Sequence, residues 1–313
     1  MQSQTRPTPP ASRSPTGRDA ARGRAFPVVL LAGVLIALAT GMSIWAPIWL
    51  HYSVETTPLA ADHVELSRQQ PADEILRELG AIKHNLVPPI GPDHEDPVAV
   101  ARDLIAESAQ AGRSSLFDPE YLARLNYAGL ETLRVLLAAY ESSSDPVFLA
   151  NATRFLVDFV RFERSAWLPR GLLWNDHAVG VRTVALAEFW RIYRHSPGFN
   201  EDTARLLLEH VVSTADRLAD PRHYTFASNH GTMQNVGLLH LSLAFPQLPG
   251  MARHAELAIE RQREQLTYLF GPEGAWRENS AGYHKLGLEL TGIFLRYMTL
   301  AGKSRTRESI MVI

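Results

Sequence analysis

A chain of 313 residues, 46% hydrophobic and 20% charged, can bury the core of one or two globular domains. Its 31 basic and 33 acidic side chains nearly cancel, and a formal net charge of -2 gives no sign of a nucleic-acid partner. The sequence contains no cysteine, so disulfide bonds and metal sites built on thiolates are excluded.

The first 24 residues differ in composition from the rest of the chain. They are rich in proline and small polar residues, which disfavour a packed structure. Their basic side chains are Arg6, Arg13, Arg18, Arg22 and Arg24. We therefore predict a disordered, positively charged tail over residues 1–24.

Residues 25–50 contain no charged side chain and are long enough to cross the ~30 Å hydrocarbon core of a bilayer as a helix. Trp45 and Trp49 stand at the far end, where interfacial aromatic residues are expected. Arginines on the near side predict a cytoplasmic N-terminus and an exported remainder, periplasmic or at the cell surface. The alternative is a signal peptide cleaved near Ala37-Leu38-Ala39. Because the apolar run continues past that point, we favour an uncleaved membrane anchor.

Beyond the apolar segment, the pattern predicts a linker over 51–70, a helical domain over 71–303 and a short tail over 304–313. A short amphipathic helix is expected from Asp73 to Lys83, ending before Pro88-Pro89. Longer helices are predicted over 176–194, 201–218, 232–245, 251–269 and 284–301.

Three aspartate-proline pairs mark further predicted helix starts, because aspartate caps a helix and proline fits its first position. The pairs are Asp96-Pro97, Asp118-Pro119 and Asp145-Pro146. Apolar residues of helical spacing follow, as in the run Leu122, Leu125, Leu130, Leu133 and Leu137.

Alternating strand patterns are almost absent, and the loops between helices are short except at 219–230. Repeated antiparallel helical hairpins predict an all-α fold, either an (α/α) toroid or a solenoid of helix pairs. No sequence repeat of fixed period is visible, which disfavours the solenoid.

The first cluster of reactive side chains lies where the long loop meets a predicted helix, at Asn229 and His230. Backbone N–H groups at a helix N-terminus favour anions, so both side chains are candidates for an anion-binding site. Gln234 follows His230 by four residues and is predicted to share its helix face. The alternative is that Ser228 or Asn229 is an ordinary N-cap and His230 a surface histidine.

A second cluster, Glu278-Asn279-Ser280-Ala281-Gly282-Tyr283-His284, precedes the apolar helix predicted over 284–301. It supplies a carboxylate, a phenol and an imidazole. The alternative for Tyr283 is simple packing at the start of that helix.

A third cluster combines Trp174, Asp176 and His177 with Arg182 on the following helix. The alternative here is a cap at Asn175 or Asp176 and a salt bridge at Arg182. Because all three clusters lie at loop-to-helix junctions, we expect them to converge on one rim of a toroid, where a sugar-binding cleft would form.

The pattern N-H-G-x-x-Q followed after about fifty residues by E-N-S-x-G-Y-H resembles the heparinase II/III and alginate lyase group of polysaccharide lyases. The segment W-N-D-H-A…R is similar to that group too. The resemblance covers roughly residues 70–300. It implies an (α/α) toroid followed by a β-sandwich, acting on uronate-containing polysaccharides by β-elimination.

Such an elimination explains the residue types. An amide such as Asn229 neutralises the uronate carboxylate and so acidifies the C5 proton. A histidine, with an ordinary pKa near ~6.5, is suited to remove that proton, which assigns the base to His230. The Tyr283 phenol would protonate the leaving oxygen, and the resemblance leaves open that the tyrosine serves as the base as well, as it does in some members of the group. Gln234, Glu278, His284, Trp174, Asp176, His177 and Arg182 are then expected to bind substrate or support the reacting groups, with no metal or cofactor.

Members of the group continue into further helices and a β-sandwich, whereas this sequence stops at Ile313 without a strand-rich region. The toroid is therefore expected to be incomplete and the chain a truncated or reduced homologue. Two other functions remain open. One is a glycoside hydrolase that uses Asp176 and Glu278, and the other is a non-catalytic polysaccharide-binding remnant.

Overall fold

The computed structural model divides into two units, Met1–His51 and Tyr52–Ile313. It describes residues 58–82, 96–111, 122–278 and 280–302, together with Leu31, Val34, Ile36, Thr40 and Tyr52. Nothing else of the predicted anchor at 25–50, and none of the tails at 1–24 and 304–313, lies in the described part. Within that part, no helix has the length and apolarity needed to cross a membrane. The anchor therefore stays a prediction.

The described part of the second unit consists mainly of α-helices. Their bounds are α1 Ala61–Gln69, α2 Asp73–Ala81, α3 Pro97–Ala111, α4 Leu125–Ala128, α5 Glu131–Ser143, α6 Pro146–Ser165, α7 Asp176–Tyr193, α8 Glu201–Ala219, α9 Asn229–Ala244, α10 Met251–Leu269 and α11 Ala281–Leu300. In the described ranges, extended backbone pairs only at a single bridge between Phe270 and Trp276. The all-α prediction is confirmed there.

The segment predicted as a linker contains helix α1, which packs against the helical body. Val64 and Ser67 are buried in this contact. The Trp190 indole on α7 donates to the Ser67 carbonyl, and the Arg68 guanidinium donates to the carbonyl of Arg194. Residues 61–69, which lie within the predicted linker, are helical, and the sequence showed no sign of it because a few buried positions in a polar helix do not produce a clear periodic pattern.

Side-chain caps define where several helices begin. The side chains of Asp145, Asn175, Asn200, Ser228 and Ser280 each accept a hydrogen bond from a first-turn backbone N–H group. Helices α9 and α11 consequently begin three residues earlier than the apolar pattern predicts. The shift places Asn229, His230 and Tyr283 inside the first turns rather than ahead of them.

The leucine run from 122 to 137 does not form one continuous helix. It is interrupted after the short helix α4, where Leu130 adopts a left-handed conformation with φ of 66°. Leu130 is fully buried. Burial of this side chain offsets the cost of an αL leucine, which is of the order of 1–2 kcal/mol.

Helix α9 lies at the centre of the described helices and is buried around its whole circumference. It packs against α7, α10 and α11. The α7 and α9 backbones approach closely where Gly180 faces Gly237, since a Cβ added at Gly237 would lie 2.7 Å from the Gly180 carbonyl oxygen. This close packing sets the distance between the beginnings of α7 and α9.

Helices α7, α9 and α11 point in one direction, and α8 and α10 return the chain between them. Hydrogen bonds between the starts of α7 and α9, and between the start of α9 and the segment before α11, place these three N-termini at one rim. The described helices thus form the alternating arrangement expected for part of a helical toroid.

Candidate active site

The three polar clusters predicted from the sequence meet at the rim formed by the N-termini of α7, α9 and α11. His230 on α9 contacts Asp176 on α7, and Asn229 contacts Glu278 just before α11. Each helix contributes the positive end of its dipole, and side-chain caps bind some of its first-turn N–H groups. The rim therefore favours an anionic ligand.

Asp176 and His230 form the central pair of this site. The distance from His230 Nδ1 to Asp176 Oδ1 is 3.0 Å. The other carboxylate oxygen of Asp176 accepts a 2.6 Å hydrogen bond from the Thr225 hydroxyl. Thr225 was not predicted, because a single threonine in a loop carries no distinguishing pattern.

The electrostatics of the pair determine which ring nitrogen of His230 is available. Although burial opposes it, the hydrogen bonds from His230 and Thr225 hold the pKa of Asp176 down to about 2, so the carboxylate is ionised at neutral pH. An ionised carboxylate only accepts, so Nδ1 of His230 carries the hydrogen and Nε2 remains free to take a proton. The hydrogen bond to Asp176 also raises the pKa of His230 above its ordinary value of 6.5.

The His230 side chain is 39% exposed, so its imidazole can reach a ligand at the rim. The ring of His177, the second residue of α7, lies beside it with a centroid separation of 5.4 Å. The structure thus brings His177, Asp176 and His230 together as one cluster. In the described ranges, no group of three or more ligating side chains has the arrangement needed to hold a metal ion.

Asn229 is 4% exposed and binds a carboxylate of the chain itself. Its Nδ2 donates to both oxygens of Glu278, at 3.1 and 3.0 Å, and its backbone N–H donates to Oε2 at 3.3 Å. The indole of Trp276 donates to the same Oε2 at 2.6 Å. The Glu278 carboxylate shows which chemical group this set of donors accepts.

The two predicted residues on the first turn of α11 face different surroundings. Tyr283 is 47% exposed, on the first turn of α11. The ring nitrogen Nδ1 of His284 accepts a 3.2 Å hydrogen bond from the backbone of Trp276, and its ring packs edge-on against Phe270. His284 consequently holds the turn that carries Glu278.

Gln234, predicted as a substrate-binding residue, is 2% exposed and holds the preceding loop. Its side-chain oxygen accepts from the Thr225 backbone at 2.9 Å, and its Nε2 donates to the His223 carbonyl at 2.6 Å. Gln265 on α10 acts in the same way, with Nε2 donating to the carbonyls of Phe226 and Ser228 at 2.8 Å. Both amides position the loop beside His230.

Buried polar side chains extend this arrangement downward between α9 and α10. The Asn235 amide donates to Gln262 Oε1 and to Gln265 Oε1, each at 3.1 Å. The Thr232 hydroxyl donates to the same Gln265 oxygen at 3.2 Å. Gln262 and Gln265 were missed, although glutamines that share a helix face with the apolar Ala258 and Leu269 are the signal that could have identified them.

The glycine of the N-H-G motif allows the loop to approach α9. A Cβ at Gly231 would lie 2.3 Å from the Thr225 carbonyl oxygen and 2.4 Å from Gln265 Nε2. We expect Gly231→Ala to lower the free energy of unfolding by about 1–3 kcal/mol, because the loop backbone must move. Urea unfolding measures this change. Gly292→Ala is the control, because nothing lies within 4 Å of a Cβ at that helical position, and an equal loss there would contradict the argument.

Arg182, predicted to bind substrate, lies in the core with 1% of its surface exposed. Its guanidinium donates to Glu163 Oε1 at 2.9 Å and to the Leu173 carbonyl. His210 Nδ1 lies 3.1 Å from the other oxygen of the same carboxylate. The structure therefore shows the salt bridge that was given above as the alternative for Arg182. In this position the Arg182 side chain stabilises the core.

Trp174 is 9% exposed and lies beneath the rim rather than on it. Its ring stacks on Tyr52 with centroids 5.4 Å apart, and the Arg217 guanidinium lies 5.1 Å from its centroid. The side chain supports the turn that leads to Asp176 and presents little surface to a ligand.

Two solved structures share this helical fold, those of the heparan sulfate lyase HepC from Pedobacter heparinus and of a mutant of it. Each superposes with a TM-score of 0.56 at 16% sequence identity, over 80% of this chain and 42% of the other. The chain therefore spans less than half the length of these enzymes. Comparison with curated protein sequences gives no match.

The sequence itself assigns the family. Residues 116–310 match the model of the heparinase II/III N-terminus family, and the chain belongs to that family. The matched range contains all three clusters of the rim, so the resemblance predicted from their motifs is confirmed.

Proposed function

We propose that the protein takes part in cleavage of a uronate-containing acidic polysaccharide by β-elimination. The observation that carries the proposal is the Asp176–His230 pair, an ionised carboxylate that orients a half-exposed imidazole at an anion-favouring rim. Membership of the heparinase II/III family and the fold shared with a heparan sulfate lyase support the same reaction class.

In the proposed reaction, Nε2 of His230 removes the C5 proton of the uronate. The electron pair of that C–H bond forms the C4–C5 double bond, and the C4–O bond breaks. The Tyr283 phenol donates a proton to the leaving oxygen and becomes a phenolate. Transfer of the C5 proton from His230 through solvent back to Tyr283 restores both groups.

Asn229 is assigned to the uronate carboxylate, in the place that the Glu278 carboxylate fills in this structure. The same two donors, the Asn229 amide and the α9 backbone, already hold a carboxylate at hydrogen-bond distance. Substrate would displace Glu278 from them. Neutralising the substrate charge there lowers the cost of the carbanion that develops at C5.

The electrostatics disfavour the glycoside hydrolase alternative. A hydrolase needs one carboxyl group that keeps its proton near neutral pH. Burial alone would raise the pKa of Asp176, but the hydrogen bonds from His230 and Thr225 lower it to about 2. A general acid needs a raised pKa instead. Glu278 accepts hydrogen bonds from Asn229 and Trp276, an arrangement suited to an acceptor rather than a proton donor.

The test of the proposed function is a spectroscopic assay on the full 313-residue chain in detergent micelles. Heparan sulfate, hyaluronan and alginate are each incubated with the protein, and ultraviolet absorbance reports the unsaturated uronate. We expect absorbance to rise with at least one polymer. New reducing ends without that absorbance would favour a hydrolase. The absence of both products would refute catalysis by this chain.

Removing the Tyr283 hydroxyl tests its assigned role. We expect Tyr283→Phe to lower kcat roughly 10²–10⁴-fold with little change in KM, because the phenol acts on the leaving oxygen. Tyr140→Phe is the control and should retain activity, because Tyr140 lies on α5 next to Glu141, which pairs with Arg191 at the end of α7 away from the rim. Unchanged activity of the Tyr283 variant would remove this residue from the mechanism and leave the reaction class open.

A further inference from the structure

Beside the candidate site lies an exposed surface formed by Phe226, Tyr268 and Arg277, which we name the rim aromatic surface. The rings of Phe226 and Tyr268 lie 5.1 Å apart, and the Arg277 guanidinium lies 5.1 Å from the Tyr268 ring centroid. Phe226 is 37% exposed and Tyr268 is 40% exposed. Large aromatic side chains on an open surface require an explanation when they are clustered.

The rim aromatic surface adjoins the site through the chain itself. Phe226 precedes Asn229 by three residues, and Arg277 directly precedes Glu278. Because Asn229 and Glu278 are hydrogen-bonded, both ends of the surface are tied to the same donors that we assign to the uronate carboxylate.

The exposed phenylalanine is held in place. The buried Gln265 amide donates to the Phe226 carbonyl at 2.8 Å, and Tyr268 follows Gln265 by three residues on the same face of α10. The Tyr224 ring supports Phe226 from the side, with centroids 6.3 Å apart. A loop fixed by buried amides and yet presenting an aromatic ring to solvent is preorganised for binding.

Charge identifies the chemistry of the ligand. The Arg277 side chain is exposed, and among the residues that the structure describes no carboxylate pairs with it. A guanidinium forms paired hydrogen bonds with carboxylate or sulfate oxygens, and aromatic rings pack against the C–H face of a pyranose. An anionic sugar satisfies both groups at once.

We propose that the rim aromatic surface is a subsite for an anionic sugar ring of the polysaccharide, next to the ring that reacts. Arg277 binds the carboxylate or sulfate ester, and Tyr268 and Phe226 stack on the sugar. The position of this subsite next to the reacting ring rests on the proposed function. Its test measures binding of the polymer rather than formation of product.

The experiment compares Arg277→Gln with Arg253→Gln in the full chain in detergent micelles. Arg253 is exposed at the opposite end of α10 from Tyr268, about 22 Å along the helix at 1.5 Å per residue, so its loss removes the same charge elsewhere. Binding to hyaluronan, dextran sulfate and uncharged dextran is measured by calorimetry. Hyaluronan carries only carboxylates and dextran sulfate carries only sulfate esters. Comparing the two polymers therefore distinguishes binding of a carboxylate from binding of a sulfate ester.

We expect Arg277→Gln to weaken binding of at least one acidic polymer about tenfold, equivalent to 1.4 kcal/mol, and Arg253→Gln to change it less than twofold. Tyr268→Ala should weaken the same binding about threefold or more at high salt, where charge attraction is screened. The polymer that loses affinity identifies the anion. Equal effects of the two arginine variants, undiminished binding in Arg277→Gln, or binding of dextran as strong as that of the acidic polymers would each overturn the subsite.

The subsite and the lyase can fail separately. Binding that depends on Arg277, without an unsaturated product, would refute the lyase and keep the subsite. Product formation with an unchanged KM in Arg277→Gln would refute the subsite and keep the lyase.

Discussion

Asp176→Asn is expected to lower kcat/KM roughly 10²–10⁴-fold and to move its acidic limb to lower pH. The rate falls because an amide can donate to Nδ1 of His230 and so leave the proton on Nε2, the nitrogen that must accept one. The limb moves because the hydrogen bond to Asp176 raises the pKa of His230, and losing it returns that pKa toward 6.5. A base works only when deprotonated, so a lower pKa extends activity to more acidic solution.

The pH profile of the unsaturated product measures this effect in the wild type and in the variant. Thr225→Val is the matched control, since it removes the second hydrogen bond to Asp176 and leaves the carboxylate facing His230. We expect that variant to keep its acidic limb close to that of the wild type. A shift of the alkaline limb instead of the acidic one in Asp176→Asn would mean that His230 acts as the acid.

Glu163→Gln is expected to lower the free energy of unfolding by about 3–5 kcal/mol, because it leaves the buried Arg182 guanidinium without its counter-charge. Arg182 and His210 are each 1% exposed, and both bind this carboxylate. Although burial opposes it, the neighbouring His210 and Arg182 lower the pKa of Glu163 to about 2. Its contribution is therefore present above the ordinary value of 4.5 and is lost as pH falls through about 2.

Urea unfolding at neutral pH and at acidic pH tests both parts of this expectation. The difference in the free energy of unfolding between the wild type and Glu163→Gln should shrink as the pH approaches 2. The control is Glu209→Gln, which breaks the more exposed pair with Arg164 and should cost less than about 1 kcal/mol. Equal losses in the two variants would show that Glu163 acts as a surface charge.

The sequence was sufficient for the all-α class, for most long helices and for the junctions that form the site. Helix caps and apolar spacing are local, so α7, α8 and α10 could be placed within a residue or two. The break at Leu130 could not be predicted, because a left-handed leucine depends on burial supplied by distant helices.

The site was predictable as a set of positions and less so as a set of roles. Asp176, Asn229 and His230 face the rim as expected, whereas Arg182 and Gln234 point into the protein. A helix-face argument fixes which residues share a side of one helix. It does not establish whether that side meets solvent or another part of the chain. Gln234 is buried because the loop at residues 223–225 covers it.

The polar contacts between α9 and α10 have a consequence for how the rim keeps its shape. Sliding α10 by one turn, about 5.4 Å, would separate Asn235 from Gln262 and Gln265 and leave their amides unpaired in the interior. Each such group costs about 1–3 kcal/mol, whereas apolar contacts alone would tolerate a shifted alignment. The interface therefore admits a single register of the two helices. The spacing between His230 and the rim aromatic surface is set there, well below the surface where the polymer would bind.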